Sequence, residues 1–222
     1  MNELRGIMKP YYQDDYVTIY NCDCRDILGE LPKVELLLTD PPYGIGESMG
    51  KNKSRGVMAI SKDYGYSEWD KKTVDFELLW SCVQKANNAI VFGGNYYPLP
   101  PSSKWLIWDK DNGDTDFADS EMAWTNLKGA VRNLKFKWQG MLQENMKNKE
   151  FRQHPTQKPV PVIKWCIEQA GNPRTILDPF AGSCTAGRAA KDLNRKCICI
   201  ELEEKYCETG AKRMCQEVMN FN

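Results

Sequence analysis

Three short apolar runs in this chain of 222 residues each end at an acidic residue, and this pattern limits the folds that the chain can adopt. Such runs are typical of strands buried in a parallel sheet, and stretches with helical periodicity lie between them. Strands that alternate with helices predict an α/β fold with a largely parallel sheet. Ligands of such sheets bind beyond the carboxyl ends of the strands, so the three acids are candidate site residues. The runs and their acids are Val34–Thr39 with Asp40, Thr175–Leu177 with Asp178, and Lys196–Ile200 with Glu201.

The remaining apolar patterns extend this alternation along the chain. The predicted strands are Val17–Tyr20, Val34–Thr39, Ala89–Phe92, Trp105–Trp108, Met122–Trp124, Thr175–Leu177 and Lys196–Ile200. The predicted helices are one from Asp23 or Asp26 to Leu31, and Val74–Asn87, Pro159–Ala170, Cys184–Leu193 and Lys205–Met219. Residues 44–68 contain five glycines and no clean period, which predicts a long mobile loop that is either functional or disordered. We expect a single domain over residues 1–222.

Composition excludes several classes of protein. The nine cysteines form no CxxC pair and the chain has one histidine, His154, so we expect no metal site. An odd number of cysteines without a signal peptide predicts free thiols in a reducing cytoplasm. No run of 18 apolar residues occurs, and therefore we expect no membrane span.

The charges balance overall but are segregated along the chain. Residues 109–121 contain six acids and one lysine, whereas residues 128–152 contain seven basic residues with aromatic residues between them. Segregated charge is what a nucleic-acid-binding protein of zero net charge requires. A solvated surface is the other interpretation of the same pattern.

The segment from Ile176 to Thr185 runs from a strand through a tight turn of small residues into a helix. Gly182 and Ser183 let the backbone approach a ligand closely, and Glu201 follows Gly182 after 19 residues. An acid at about this distance from a glycine turn binds the ribose hydroxyls in nucleotide-binding folds. No GxGxxG motif is present, which disfavours a dinucleotide. An ordinary turn with a capping acid is the alternative.

Asp40-Pro41-Pro42-Tyr43 lies where a predicted strand meets the long loop. The two prolines hold the backbone extended, so that carbonyl groups can point outward as acceptors beside the Asp40 carboxylate. Tyr43 adds a flat aromatic face. Such a site suits a planar group that carries an amino group, and a base of this kind must be flipped out of a duplex or be single-stranded. A proline-rich turn with a surface tyrosine is the alternative.

Together these residues resemble the amino-methyltransferases of DNA, adenine-N6 type, in which DPPY is the catalytic motif and a D-P-F-x-G-S-G-T turn binds the cofactor. The turn here is Asp178-Pro-Phe-Ala-Gly-Ser-Cys-Thr185, and DPPY precedes it, as in the β group of that family. The resemblance covers nearly all of residues 16–215. Further segments similar to the family are His154-Pro-Thr-Gln-Lys-Pro159, Ile200-Glu201 with Tyr206, Phe92-Gly-Gly-Asn95 and Trp108-Asp-Lys110.

The resemblance implies a Rossmann-like, doubly wound, mostly parallel sheet of seven strands, with S-adenosyl-L-methionine as the cofactor and DNA as the partner. The implied catalytic residues are Asp40, Pro41, Pro42 and Tyr43. The implied cofactor-binding residues are Asp23, Asp40, His154, Thr156, Lys158, Asp178, Phe180, Ala181, Gly182, Ser183, Thr185, Glu201 and Leu202. For His154 we expect packing or a cofactor contact rather than proton transfer.

The predicted nucleic-acid-binding residues come from the DPPY motif, the long loop and the basic segment. They are Tyr43, Lys51, Lys53, Arg55, Arg132, Lys135, Lys137 and Trp138. For Trp138 a place in the core is an equal alternative to stacking on a base.

Two features depart from the family pattern. Cys184 stands where the family usually has glycine, and residues 125–153 leave only a short target-recognition segment. Sequence specificity therefore requires the basic segment, the loop lysines or a homodimer. The alternatives to N6-adenine methylation of DNA are methylation of an RNA base, of cytosine N4 or of a protein amide, and an inactive relative that only binds. The aspartate at position 40 favours a base over a glutamine amide as the substrate, because the similar enzymes that methylate glutamine carry asparagine at this position.

Overall fold

The fold is an α/β sandwich built on one large mixed sheet. The computed structural model describes residues 8–43, 73–113, 118–139, 142–147, 149–150 and 157–216. The strands are β1 Tyr12–Gln13, β2 Val17–Asn21, β3 Val34–Thr39, β4 Ala86–Phe92, β5 Trp105–Asp109, β6 Ser120–Thr125, β7 Arg132–Lys135, β8 Trp138–Gln139, β9 Leu142–Gln143, β10 Thr175–Asp178 and β11 Lys196–Glu201. The helices are α1 Cys24–Ile27, α2 Phe76–Gln84, α3 Val160–Gln169, α4 Thr185–Asp192 and α5 Glu204–Cys215, with a 3-10 turn at Gly94–Tyr96.

Nine of these strands form one sheet in the order β1-β2-β11-β10-β3-β4-β6-β5-β7, and β8 and β9 form a separate hairpin. The five strands from β2 to β4 run parallel, while β6 is antiparallel to both of its neighbours. The predicted α/β class and mostly parallel sheet are confirmed.

The predicted number of seven strands is too low, because β1 and β7 extend the sheet at its two edges. All seven predicted strands are present as the inner part of the sheet. Strand β1 has only two residues, and β7 exposes Arg132, Asn133 and Lys135. Neither edge strand buries the apolar run that identifies an inner strand in a sequence, so both escape that criterion.

Helices pack on both faces of the sheet, as the doubly wound prediction requires. One face carries α3, α4 and α5, whose Val162, Cys166 and Ala189 join the inward side chains of the strands in one core. The other face carries α1 and α2, whose Ile27 and Leu79 are buried in a second core.

Pairing with β3 moves one predicted boundary. Helix α2 ends at Gln84 and β4 begins at Ala86, so Asn87 lies in the strand and not in the helix as expected. Val34 pairs with Ala86 and Leu36 with Asn88, which extends β4 toward its amino end. Tertiary pairing thus overrides the helical pattern of the sequence.

The direction of β6 determines which side chains meet at the carboxyl edge of the sheet. Because β6 is antiparallel to β4, its first residues lie beside the last residues of β4 and β5. Glu121 therefore reaches the same edge as Asp40, Asp178 and Glu201, although it begins a strand and they follow or end one.

The predicted loop at residues 44–68 lies outside the described residues. In the predicted recognition segment, β7 pairs with β5 and Trp138 begins the β8–β9 hairpin. Across the ranges that the structure describes, no helix is long and apolar enough to cross a membrane.

Candidate active site

A cavity of about 470 Å³ opens at the carboxyl edge of the sheet. We call the side formed by Asp178, Phe180, Gly182 and Glu201 the cofactor half. We call the side formed by Asp40, Tyr43, Glu121 and Lys158 the reaction half. Residues of both sides line the one cavity, Asp40 and Lys158 among them, so the two sequence motifs meet in space.

Glu201 closes β11 and binds the turn that follows β10. One carboxylate oxygen accepts a hydrogen bond from Gly182 N at 2.7 Å, and the other accepts one from Glu203 N at 2.8 Å. Burial raises the pKa of Glu201, and these two backbone hydrogen bonds oppose the rise. Each oxygen keeps a further lone pair with which a ligand hydroxyl can bond.

Asp178 ends β10 and is buried beside Thr39, the last residue of β3. Its Oδ1 accepts hydrogen bonds from Thr39 Oγ1 at 2.7 Å and from Phe180 N at 3.2 Å. Burial raises the pKa of Asp178 to about 7, because these hydrogen bonds offset only part of the cost of a buried charge. Asp178 therefore joins the ends of the two strands that carry the two motifs.

A buried arginine binds the turn from Asp178 to Thr185, which we call the cofactor turn, on the side away from the cavity. Arg213 Nη1 donates to the Ser183 carbonyl at 2.7 Å and to the hydroxyl oxygens of Ser183 and Thr185 at 3.1 Å. Its Nη2 lies 3.0 Å from Glu150 Oε1. Sequence analysis did not identify Arg213. The available signal is a charged residue on the apolar face of α5, beside Gly210 and Met214.

Glu150 also binds the start of α3 and the residues just before it. It accepts hydrogen bonds from Gln157 Nε2 at 2.7 Å and Val160 N at 2.9 Å. Gln157 is buried and lines the cavity. The Arg213–Glu150 pair therefore connects the cofactor turn with the segment that carries Lys158.

Cys184 occupies the position where the family has glycine, and its backbone has the left-handed conformation, with φ of 57°. Its buried side chain points at Gly210 in α5, where an added Cβ would lie 2.4 Å from the Cys184 sulfur. The absence of a side chain at position 210 makes room for the cysteine. Cys184 and Gly210 thus fit each other across the contact between α4 and α5.

Asp40 follows β3 and contacts a buried lysine. Lys158 Nζ binds Asp40 Oδ2 and also lies 3.0 Å from Glu121 Oε2. Burial raises the pKa of Asp40 and the charge of Lys158 opposes the rise, while Glu121 adds to it. For Glu121, burial acts to raise the pKa, but Lys158 and Lys110 prevail and lower it to about 2. Sequence analysis missed Glu121 because it is one acid among six in residues 109–121.

Tyr43 lies over Asp40 and donates its hydroxyl hydrogen to Asp40 Oδ1. The ring fits against Gly93, where a Cβ would come within 2.1 Å of it and where φ is +62°. On the outside, half-exposed Tyr96 stacks on Tyr43 with ring centroids 5.1 Å apart. Tyr97 fixes the motif from below, because its hydroxyl donates to the Pro42 carbonyl at 2.5 Å.

The predicted site residues divide into three groups. Those that line the cavity are Asp23, Asp40, Pro42, Lys158, Asp178, Phe180, Ala181, Gly182, Ser183, Thr185, Glu201 and Leu202. Pro41 is buried beside them, and Tyr43 covers Asp40. Those outside the described residues are Lys51, Lys53, Arg55, His154 and Thr156.

The third group is the basic segment. Arg132 and Lys135 are exposed on the edge strand β7, and Lys135 and Lys137 lie 2.8 and 3.7 Å from Asp111. The acidic and basic stretches of the sequence therefore meet in space. Trp138 is buried in the core, so the alternative of a core role is correct and its ring is not displayed for stacking. In the described part of the chain, no group of three or more His, Cys, Asp or Glu could hold a metal ion.

Comparison with known structures agrees with this architecture. The crystal structure of the M1.HpyAVI–SAM complex superposes with a TM-score of 0.59 and 20% identity, over 90% of this chain and 100% of that one. PvuII DNA methyltransferase, which is cytosine-N4-specific, gives a TM-score of 0.58 and 15% identity over 96% of this chain and 91% of that one. The fold is that of the Rossmann-like methyltransferases.

Sequence comparison identifies the family. The N6_N4_Mtase family, described as DNA methylase, matches residues 100–212, which is 113 of the 222 residues. The chain belongs to this DNA methylase family. The type II methyltransferase M2.LlaDCHI of Lactococcus lactis subsp. cremoris is 26% identical over an alignment of 254 residues, gaps included, which covers 93% of this chain and 92% of the relative. M2.DpnII of Streptococcus pneumoniae is 26% identical over 252 residues, with 93% and 92% covered.

Proposed function

We propose that this DNA methyltransferase transfers a methyl group from S-adenosyl-L-methionine to the exocyclic N6 of adenine, on a base flipped out of the duplex. The observation that carries the proposal is one cavity at which the Asp40 carboxylate and the turn bound by Glu201 meet. We further propose that residues 1–222 act as one catalytic domain.

The charge of the cavity suits S-adenosyl-L-methionine, which carries a sulfonium and an ammonium group. Asp23, Asp40, Asp178 and Glu201 line it, and Lys158 is one of only two basic residues among the described lining residues. Its volume of about 470 Å³ lies within the usual range of ligand pockets. Glu201 would accept hydrogen bonds from the ribose hydroxyls, and Phe180 and Leu202 would provide apolar contacts at the rim.

S-adenosyl-L-methionine supplies a methyl carbon bonded to a positively charged sulfur, which leaves as a neutral thioether. Asp40 accepts a hydrogen bond from the target amino group, and the Pro41 carbonyl accepts the second. The carbonyl of Pro42 is already bonded to Tyr97 and to Val74 N, so it does not serve. These acceptors would orient the amino group so that its nitrogen lone pair can attack the cofactor's methyl group, and the nitrogen would release one proton to water once its bond to carbon has replaced the carbon–sulfur bond. Positioning and electrostatics supply most of the acceleration.

Adenine is favoured over cytosine because the motif is DPPY, which resembles the adenine-N6 enzymes. Cytosine N4 carries the same amino group beside a ring nitrogen, and the similar fold of the PvuII enzyme makes it the second candidate. An RNA base is the third, since a flipped base presents the same edge in both nucleic acids.

The path of DNA would cross the carboxyl edge, where Lys135 and Lys137 lie, and would continue along β7 to Arg132 at the amino end of that strand. The loop residues Lys51, Lys53 and Arg55 would add phosphate contacts. The recognition segment is short, so a homodimer would supply a second set of contacts.

The test is methyl transfer in vitro with labelled S-adenosyl-L-methionine and unmethylated genomic DNA, followed by mass analysis of the nucleosides. We expect N6-methyladenine, and we expect Asp40→Ala to abolish it while cofactor binding persists. If the product is N4-methylcytosine, cytosine N4 is the target of this enzyme and not adenine N6. Label in RNA only, or a rate near wild type for Asp40→Ala, would contradict the proposal.

A further inference from the structure

A line of alternating charges leads from the sheet edge to the reaction half. Lys110 Nζ lies 2.6 Å from Glu121 Oε1, Lys158 Nζ lies 3.0 Å from Glu121 Oε2, and Lys158 Nζ binds Asp40 Oδ2. The side chain of Lys158 is only 6% exposed. Lys110 follows β5, Glu121 belongs to β6, Lys158 precedes α3 and Asp40 follows β3, so only the tertiary fold assembles the four groups.

Stability alone is a weak reason for such an arrangement. Taking charges out of water costs free energy, and well-packed apolar side chains of similar volume often stabilise a fold as well or better. The line also ends at the carboxylate of the DPPY motif. Its location therefore indicates a role in the reaction.

The two oxygens of Asp40 have different partners. Oδ2 is bound by the buried ammonium of Lys158, whereas Oδ1 accepts from the neutral Tyr43 hydroxyl. Lys158 is fixed in turn by Glu121, and its ammonium lies 5.3 Å from the centroid of the Phe92 ring. The Tyr43 hydroxyl is a neutral donor on a residue that is only partly buried, so it can yield its place to another donor. Oδ1 is the oxygen that can exchange partners.

We propose that Lys158 and Glu121 are positioning residues of methyl transfer: Lys158 holds Asp40 so that Oδ1 faces the target amino group, and Glu121 holds Lys158. This inference rests on the proposed function, since it names the residues that orient the acceptor of that amino group. It moves Lys158 from the cofactor contact that the resemblance implies to the reaction half.

The charges also predict how the reaction depends on pH. Asp40 is faced by Lys158, Glu121, Tyr43 and Asp178, and Lys110, which follows β5, faces Glu121. Transfer requires Asp40 as an ionised acceptor, so the rate falls when it is protonated at low pH. Loss of the Lys158 charge raises the pKa of Asp40, and loss of the Glu121 charge lowers it. The two changes therefore move the acid limb of the rate profile in opposite directions.

The experiment measures kcat, KM for both substrates and the pH profile of kcat for Lys158→Met, Lys158→Arg and Glu121→Gln in the full chain. We expect Lys158→Met to lower kcat by about 100-fold or more, with KM values within about threefold, and its acid limb to lie at higher pH. Lys158→Arg keeps the charge and should recover part of kcat with the acid limb near its wild-type position. Glu121→Gln should lower kcat by about tenfold, with the acid limb at lower pH.

Lys164→Met is the matched control, because Lys164 pairs with Asp192 at 2.5 Å on the α3–α4 side of the sheet, away from the cavity. We expect wild-type kinetics for it. Cofactor binding by calorimetry and thermal unfolding on the same samples identify variants that fail to fold. If Lys158→Met does not fold, the question is decided by Lys158→Arg, whose acid limb should stay near the wild-type position, and by Glu121→Gln, whose acid limb should lie at lower pH.

Three results would overturn the proposal. They are an unchanged kcat and KM for Lys158→Met, an unchanged kcat for that variant with a raised KM for the cofactor, and acid limbs that do not separate as described. The product formed by the wild-type enzyme tests the proposed function separately. An enzyme that methylates cytosine would refute the adenine proposal and still allow the variants to be compared.

Discussion

The reaction half and the cofactor half of the cavity each contain an aspartate at the carboxyl end of a parallel strand, yet the two carboxyl groups have different surroundings. Among the described residues, Asp178 accepts hydrogen bonds from two neutral donors, Thr39 Oγ1 and Phe180 N, and burial raises its pKa to about 7. Asp40 has the ammonium of Lys158, which works against the effect of burial. The same residue type at equivalent strand ends is thus used once to join strands and once to present a charge.

The largest expected effect separates the two aspartates in catalysis. Asp40→Asn should lower kcat by about 1,000-fold, because the amide brings a donor toward the target amino group. Asp178→Asn should lower kcat by less than about tenfold, because its amide oxygen can still accept from Thr39 and Phe180. Initial rates at saturating cofactor and DNA measure both. Equal losses would remove the distinction between the halves.

The second prediction concerns stability against pH. The folded pKa of Asp178, about 7, lies above its ordinary value of 3.8, so protonated Asp178 favours the fold. That contribution is fully present below the ordinary value and is lost as pH rises through about 7. At about 1.4 kcal/mol for each pH unit, the loss is at most about 4 kcal/mol.

Urea unfolding of the cofactor-free protein at several pH values tests this prediction. Asp178→Asn should gain free energy of unfolding relative to wild type as pH rises from 4 to 8. The exposed Asp26 provides the control, because Asp26→Asn should show no such trend. If the free energies of unfolding of Asp178→Asn and wild type differ by the same amount at every pH, folding does not raise the pKa of Asp178.

The third prediction addresses the packing behind the cofactor half. Gly210→Ala places a methyl group 2.4 Å from the Cys184 sulfur and should destabilise the fold by about 1–3 kcal/mol. In a Cys184→Gly background the same change should stabilise α5 by about 0.5–1 kcal/mol, because alanine is the better helix former. Thermal unfolding of the four proteins measures the coupling. The same sign in both backgrounds would show that the two positions are independent.

The smallest expected effect concerns the exposed basic residues of the edge strand β7. Arg132→Gln should weaken DNA binding severalfold and reduce the slope of log affinity against log salt by about one. Lys135→Gln should have less effect, because Lys135 already pairs with Asp111 at 2.8 Å. Lys212→Gln is the control, because the side chain of Lys212 is exposed on α5. Binding titrations at several salt concentrations measure all three, and equal slopes for all would remove β7 from the DNA surface.

The sequence predicts the inner sheet because each inner strand carries its own apolar run. It also predicts that the DPPY motif and the cofactor turn lie at one edge, since both follow parallel strands. The edge strands β1 and β7 are not predicted, because they bury few apolar side chains. Trp138 was ambiguous because an aromatic residue in a basic segment suits both a core and a nucleic-acid surface.

Local pattern by itself determined the α/β class, the strand ends and the chemical types of Asp40, Asp178 and Glu201. Only the tertiary structure decided which groups surround those acids. Glu121 reaches Lys158 because β6 runs antiparallel, and Arg213 reaches Ser183 because α5 packs on α4. Residues adjacent in the chain determine the apolar pattern of a strand, whereas the charge environment of a side chain depends on contacts between residues distant in sequence.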